Sequence, residues 1–398
     1  MADMDTTAAG EAEATPPPAR FAAPVRRRRW RRWPQVFAVL AALVLVAVIV
    51  LGRWSVNDYA LSPGDATPVA SFISVPPTLN HPLHGTILLT DVFVQQLTAL
   101  TYLQKRFFSS GTAIVPTAEL LGPSTPPDQF AAQGFLEMSQ AQSFATAAAL
   151  THLGYTATSR PVGALVYGVS SGSPASKVLK VAQVITGVNG TPVTNACGVV
   201  AALHGLKPGT TATLSVNQST VKQSGAFVNG PTVSKTVTLG TPPKGLTEPS
   251  ACGAANRVPT VYLGIDPEDQ LAWTFPVNVV VRTANIGGPS AGLSMTLGII
   301  DKLSGGDLTG KRTVAATGTI DAQGNVGDVG GVAQKTIAVE RAGATVFFVP
   351  PQEYKAALSE DTPSLHVYAV STLDQALRIL RRLGGTTPDS PVPAQAAP

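Results

Sequence analysis

Ser290 has the residue type and the setting for nucleophilic chemistry. It lies in Gly288-Pro-Ser290-Ala-Gly292, after a strand-like run at 277–282 and before a helical pattern at 293–303. A hydroxyl on a Gly-rich turn between strand and helix is flanked by backbone N–H groups, which can hold the oxyanion of a tetrahedral intermediate. The same position also suits a plain helix N-cap. Gly288 to Gly292 fits the G-x-S-x-G elbow, but so does Gly168-Val-Ser170-Ser-Gly172, and two matches in one chain show how little that pattern specifies. An elbow serine needs an acid and a histidine further on. His366 is the only histidine after Ser290, with Asp321, Asp328 and Asp361 before it, so a Ser290, Asp328, His366 triad is one arrangement to test.

Lys335 offers a different base. In Gly330-Gly331-Val-Ala-Gln-Lys335, a helix over 332–342 would put Val332, Lys335, Thr336, Val339 and Ala342 on one face. Gln334, Glu340 and Arg341 would take the polar sides. A lysine on an apolar face either snorkels to water or is buried. Burial disfavours the ammonium form and lowers the pKa, leaving an amine able to take the proton of a serine. Ser-Lys pairs are a known variant of triad logic.

Other signals are weaker. Gly305-Gly-Asp-Leu-Thr-Gly310-Lys311-Arg312 imitates a phosphate loop, but Arg312 replaces the Ser/Thr that would hold Mg²⁺ and no strand leads into it, so no nucleotide is expected. His81 and His84 lack a third ligand, and the two cysteines, Cys197 and Cys252, lie far apart, so neither a metal nor another cofactor is expected.

These residues need elements to position them. The run 85–94 is rich in strand formers, and the Ala-rich stretch 138–153 reads as a helix stopped by Gly154. Short Val-rich segments punctuated by Gly, Asn-Gly and Pro-Gly fill 162–240, a β-rich module with a helix near 199–204, followed by a Pro-rich link at 241–249. From 277 to 383 strands and helices alternate, which implies an α/β or α+β core. Hydrophobic residues make up 44% and charged residues 13%, which fits apolar cores and excludes a wholly disordered chain. Residues 1–25 and 384–398 read as disordered tails.

The formal charge of +4 is concentrated at Arg26 to Arg29, Arg31 and Arg32, and the remainder is nearly neutral, so no nucleic-acid footprint is present. That Arg cluster, in a cytoplasmic segment 1–33, precedes the uncharged run 34–52, which can cross ~30 Å of hydrocarbon as a transmembrane helix. The positive-inside rule keeps the arginines cytoplasmic, with Trp30 and Trp33 at the headgroups, and places the rest outside the cell membrane. A cleaved signal peptide competes, although the run exceeds the usual ~7–15 residue apolar region and no A-x-A site follows. An outside location permits Cys197 and Cys252 to pair; the sequence leaves that open.

Taken together, the serine and lysine segments resemble the proteolytic domain of Lon-type serine proteases. Gly-Pro-Ser290-Ala-Gly is similar to that family's nucleophile motif, Gly330-Gly331-Val-Ala-Gln-Lys335 to its lysine segment, and Val314-Ala-Ala-Thr317-Gly318 to its Thr-Gly strand. The resemblance implies catalytic Ser290 and Lys335, with Thr317 supporting the amine. The module at 160–240 resembles a PDZ domain, with Gly163, Ala164, Leu165 and Val166 as its peptide-binding loop. The order of anchor, PDZ and Lon-like domain is similar to membrane-anchored PDZ-containing Lon-like proteases of bacteria. It implies an α+β fold with a proteolytic domain at 258–383, of which 70–155 would supply the first part, the PDZ module being an insertion. It also implies an ATP-independent serine endopeptidase acting on protein or peptide substrates, as a homo-oligomer, a ring of six subunits. The alternatives are a non-proteolytic, membrane-tethered PDZ adaptor on an inactive Lon-like fold, and an esterase using His366.

Overall fold

The computed structural model describes residues 33–121, 126–248, 252–253, 257–360 and 364–386. The Arg cluster with Trp30, the acidic candidate Asp361 and the tail from 387 lie outside the described residues. Two units are formed, Met1–Arg53 and Trp54–Pro398. In the first, α1 (Trp33–Arg53) is a helix of 21 residues with mean hydropathy 2.8 and no buried residue. At 1.5 Å per residue it spans ~30 Å, a length that fits a membrane span and also a signal sequence.

In the second unit β1 (Ser55–Pro68), β2 (Thr86–Thr98), α2 (Ala99–Phe108), β3 (Ala113–Pro116) and α3 (Pro127–His152) come first. A β-rich module follows: β4 (Thr158–Val169), β5 (Val184–Val188), α4 (Ala196–Leu203), β6 (Thr211–Asn217), β7 (Thr232–Thr238) and β8 (Ile265–Thr274). The chain then returns with α5 (Gly292–Ser304), β9 (Thr313–Ala316), α6 (Val332–Arg341), β10 (Val346–Val349), β11 (His366–Ala369) and α7 (Leu373–Arg382). One six-stranded sheet runs β11-β10-β9-β2-β1-β3, and β7-β6-β5-β4-β8 run side by side in another.

The first sheet joins segments over two hundred residues apart. β9 lies parallel to β2, with Ala316 opposite Leu89, and parallel to β10 on its other side. The β-rich module is therefore inserted between α3 and α5 of one α/β layer. Alternation along the strands divides the core. Ile87, Leu89, Val314, Ala316, Val346 and Phe348 pack with α3 and α5, while Leu88, Ala315, Phe347 and Val349 pack with α6. The alanines of α3, among them Ala141, Ala145 and Ala148, let it lie close to Leu293, Leu297 and Ile300 of α5.

Two expectations change. The run 277–282 forms only a two-residue ladder, Val280–Val281 with Ile73–Ser74, because that partner strand is itself two residues long. β8 (Ile265–Thr274) pairs with β4 at the edge of the module sheet. Gly163, Ala164, Leu165 and Val166 are not a loop. They lie inside β4, where Ala164 faces Ile185 of β5 on one side and Asp269 of β8 on the other, and Ala164, Leu165 and Val166 are buried. Ala164 and Leu165, paired on both sides, have no free edge for a peptide. Cys197, on α4, and Cys252 are paired as a disulfide, with Cα atoms 5.0 Å apart.

Candidate active site

Ser290 stands in the turn before α5. The helix N-cap is Ala291 and carries no side-chain cap, so Ser290 is not a capping residue. The turn is held from beneath by α3: Gly288 N–H donates to the Gly134 carbonyl at 2.7 Å. A Cβ on Gly287 would meet the carbonyl carbon of Gly134 at 3.2 Å, which explains two glycines before the Pro-Ser. Gly288 itself has φ +85°, a left-handed conformation that glycine adopts without strain. Gln142 of α3 adds a hydrogen bond to Thr283 Oγ1 at 3.2 Å.

Lys335 comes from the first turn of α6, whose N-cap is Gly331 at φ +70°. As the periodicity predicts, Val332, Lys335, Thr336 and Val339 are buried, whereas Ala342 is exposed and Gln334 is buried instead. Lys335 is only 2% exposed, so it does not snorkel. Its Nζ donates to Thr317 Oγ1 at 3.1 Å, and Thr317 Oγ1 donates to the Ser290 carbonyl at 3.2 Å. Gly318 N–H donates to the same carbonyl at 2.9 Å. Thr317, the residue after β9, thus ties the lysine to the serine turn; the described contacts run through the Ser290 carbonyl and include no hydrogen bond of Ser290 Oγ. Burial lowers the Lys335 pKa from 10.5 to about 8, and the negative charges of Asp91 and Glu353 act against that shift. A base with a pKa near 8 is largely available at mildly alkaline pH.

Asp91 carried no mark in the sequence. It follows the buried run Ile87–Thr90 of β2, and its Oδ1 accepts from Asp65 N–H at 2.8 Å. Gly64 makes the room, since a Cβ there would meet that oxygen at 2.0 Å. Burial raises the Asp91 pKa above the ordinary carboxylate range; the Asp65 N–H and the Lys335 charge oppose this. Gly134 was also missed. A glycine in an Ala-rich helix weakens it and marks a close approach of backbone, a signal present in the sequence.

His366 is not brought to Ser290. It opens β11 opposite Val346, at the start of the parallel strands, whereas Thr317 follows their far end and its N–H donates to Phe348. The second elbow-like serine, Ser170, donates its backbone N–H to Gly264 and serves the module. The phosphate-loop mimic is the exit from α5, with Gly305 at φ +112°.

The module has a groove of its own. Among the described strands β8 pairs with β4 alone, and beside it α4 and the segment Tyr262-Leu263-Gly264 enclose a cavity of about 460 Å³, lined by Val199, Leu203, His204, Tyr262, Leu263 and Ile265. Gln133 of α3 also borders it and donates to the Tyr167 carbonyl at 3.2 Å. α3 thus touches both the groove, through Gln133, and the serine turn, through Gly134.

Comparison with known proteins gives two domain matches: the Lon protease (S16) C-terminal proteolytic domain over 263–381 and a PDZ domain over 146–225. Lon protease of Chloroflexus aggregans is 33% identical over 119 residues, covering 29% of this chain and 14% of that protein. Lon protease of Koribacter versatilis is 35% identical over 122 residues, covering 29% and 15%. The chain therefore spans a small part of the length of these relatives. A solved PDZ domain of an SdrC-like protein from Listeria monocytogenes aligns with 26% of the chain and 86% of its own length, at 18% identity and TM-score 0.20. The serine and the buried lysine both fall within the Lon-type match, and with that proteolytic domain joined to a PDZ domain in one chain the protein fits a PDZ-containing Lon-like protease.

Proposed function

We propose that this chain is an ATP-independent serine endopeptidase with a Ser290–Lys335 dyad. Ser290 Oγ attacks the scissile carbonyl, neutral Lys335 takes its proton and returns it to the leaving amine, and Thr317 holds the lysine. The N–H groups at the start of α5, at the positive end of the helix dipole, would hold the oxyanion. The observation that carries this reading is a lysine 2% exposed, hydrogen-bonded to a threonine that is itself bonded to the serine turn. The reaction needs Ser290 Oγ to turn into reach of Nζ, a contact that many sites complete only with substrate bound.

Substrate recruitment falls to the module. In place of 163–166, the free edge of β8 and the apolar face of α4 support binding of an extended peptide by strand addition, with side chains in the groove. α1 would anchor the chain in the cell membrane with the second unit extracytoplasmic; the Cys197–Cys252 pair is in keeping with an oxidising compartment. A homo-oligomeric ring of six subunits completes the reading.

The test is degradation of an unfolded, fluorescently labelled protein by the full chain in detergent, with and without ATP. Cleavage that needs no ATP and disappears in folded Ser290→Ala and Lys335→Ala variants is expected. An inert parent that still binds peptides would leave the adaptor reading in place. Mass measurement of the detergent-solubilised chain tests the ring.

A further inference from the structure

α2 (Ala99–Phe108) carries an apolar face that nothing among the described residues covers: Leu103 is 45% exposed, Phe107 70% and Phe108 85%. Leu103 and Phe107 are one helical turn apart, so they share a face, with Phe108 beside them. The helix has no acidic residue in its first turn and carries Lys105 and Arg106 in its last. Lys105 Nζ donates to Ser62 Oγ at 3.2 Å and leans back onto β1, which leaves Arg106 exposed next to the phenylalanines. Large exposed aromatics rimmed by basic charge suit a lipid surface better than water.

The position of α2 in the chain narrows the choice of partner. The Ala99 N–H donates to the Trp54 carbonyl at 2.8 Å, and Ser55 pairs with Thr98. Trp54 is the residue after α1 and is itself 65% exposed. The first residue of α2 is thus one hydrogen bond from the point where the chain leaves the apolar helix, and the rest of α2 extends only ~15 Å from there. A Thr98–Thr101 capping box fixes that start.

We propose that α2 is a membrane-interface helix: it lies among the headgroups of the bilayer that receives α1, with Trp54, Leu103, Phe107 and Phe108 inserted and Arg106 on anionic lipid. This rests on the reading of α1 as a membrane anchor. Together the two contacts would restrain the second unit against the surface, where a single helix would leave it free to swing.

The experiment places an environment-sensitive fluorophore on Gln104→Cys in the full chain, without reductant, and reconstitutes it in phosphatidylcholine and phosphatidylglycerol vesicles with brominated acyl chains. A Lys207→Cys label on the β-rich module is the control. The label at 104 is expected to lose about half of its emission, as for a group ~5–10 Å inside the headgroup boundary. The label at 207 should be unaffected, and Phe107→Ser with Phe108→Ser should restore most of the lost emission. An unquenched label at 104 in a chain that resists carbonate extraction overturns the proposal and leaves the anchor standing. A label shielded in proportion to chains per vesicle, whatever the lipid, assigns the face to a second copy and also overturns it. A quenched label in a chain that carbonate releases supports the α2 contact and removes the anchor. Release without quenching ends both.

Discussion

The serine turn and the module groove are built on opposite principles. At the serine, sheet and helices close on one another: Lys335 and Thr317 are sealed between α6 and β9, and glycines bring the turn onto the backbone of α3. At the groove, a sheet stops short: among the described strands β8 pairs with β4 alone, and α4 borders a cavity of about 460 Å³ beside it. Closure supplies a desolvated amine, while in the proposed function the open edge supplies backbone for an extended peptide. The first needs particular side chains, the second mainly a strand edge and an apolar wall. α3 borders both, but different side chains build each, so the two can be separated by substitution.

The sharpest separation comes from Ser290 and Lys335. Ser290→Ala or Lys335→Ala should lower kcat by about 10³-fold or more while peptide binding to the groove stays unchanged, as read by hydrolysis and by fluorescence polarisation. Loss of both activities together would break the comparison. In the groove, Gly264 has φ +83°, and a Cβ there would meet Ser173 Cβ at 2.1 Å. Gly264→Ala should weaken peptide binding about tenfold, a cost of ~1.4 kcal/mol, and raise KM for peptide-recruited substrates with kcat kept. A fall in kcat for short unrecruited peptides would show the groove to be part of the catalytic centre.

Lys335 also has a stability signature. Folding lowers its pKa from 10.5 to about 8, so the unfolded chain holds more protons between those values and stability rises with pH across that window. Lys335→Met should therefore raise Tm more at pH 7 than at pH 10, by scanning calorimetry. The smallest expected effect is at Asp91, whose charge raises the Lys335 pKa. Asp91→Asn should move the acidic limb of the pH–rate profile to lower pH by a few tenths of a unit, with the groove untouched. A shift to higher pH would remove Asp91 from the account of the amine.

Much of this was legible in the residues. The Gly-Pro-Ser290 turn, the helix bearing Lys335 and the Thr317 strand carry local signatures, because glycine content and a 3.6-residue period act over a single turn. The helix holding Gly134 was placed only from 138 onward, since Pro127 and the mixed residues after it weaken the periodic signal. Pairing was legible far less. The loop at Gly163 to Val166 followed from the PDZ resemblance, and no local pattern there shows that Ala164 and Leu165 are paired on both sides.

Residue type and spacing pointed to Ser290, Lys335 and Thr317 as candidates, and to the turn, strand and helix that hold them. It is the packing of distant segments that seals Lys335 from water, brings Thr317 to it, lays β2 beside β9, joins Cys197 to Cys252 and leaves β8, among the described strands, paired with β4 alone. The reason is physical: turns and helix faces follow from interactions between near neighbours in the chain. Burial, pKa and strand neighbours follow from contacts between segments far apart in it, each chosen by competition for the same sheet edges.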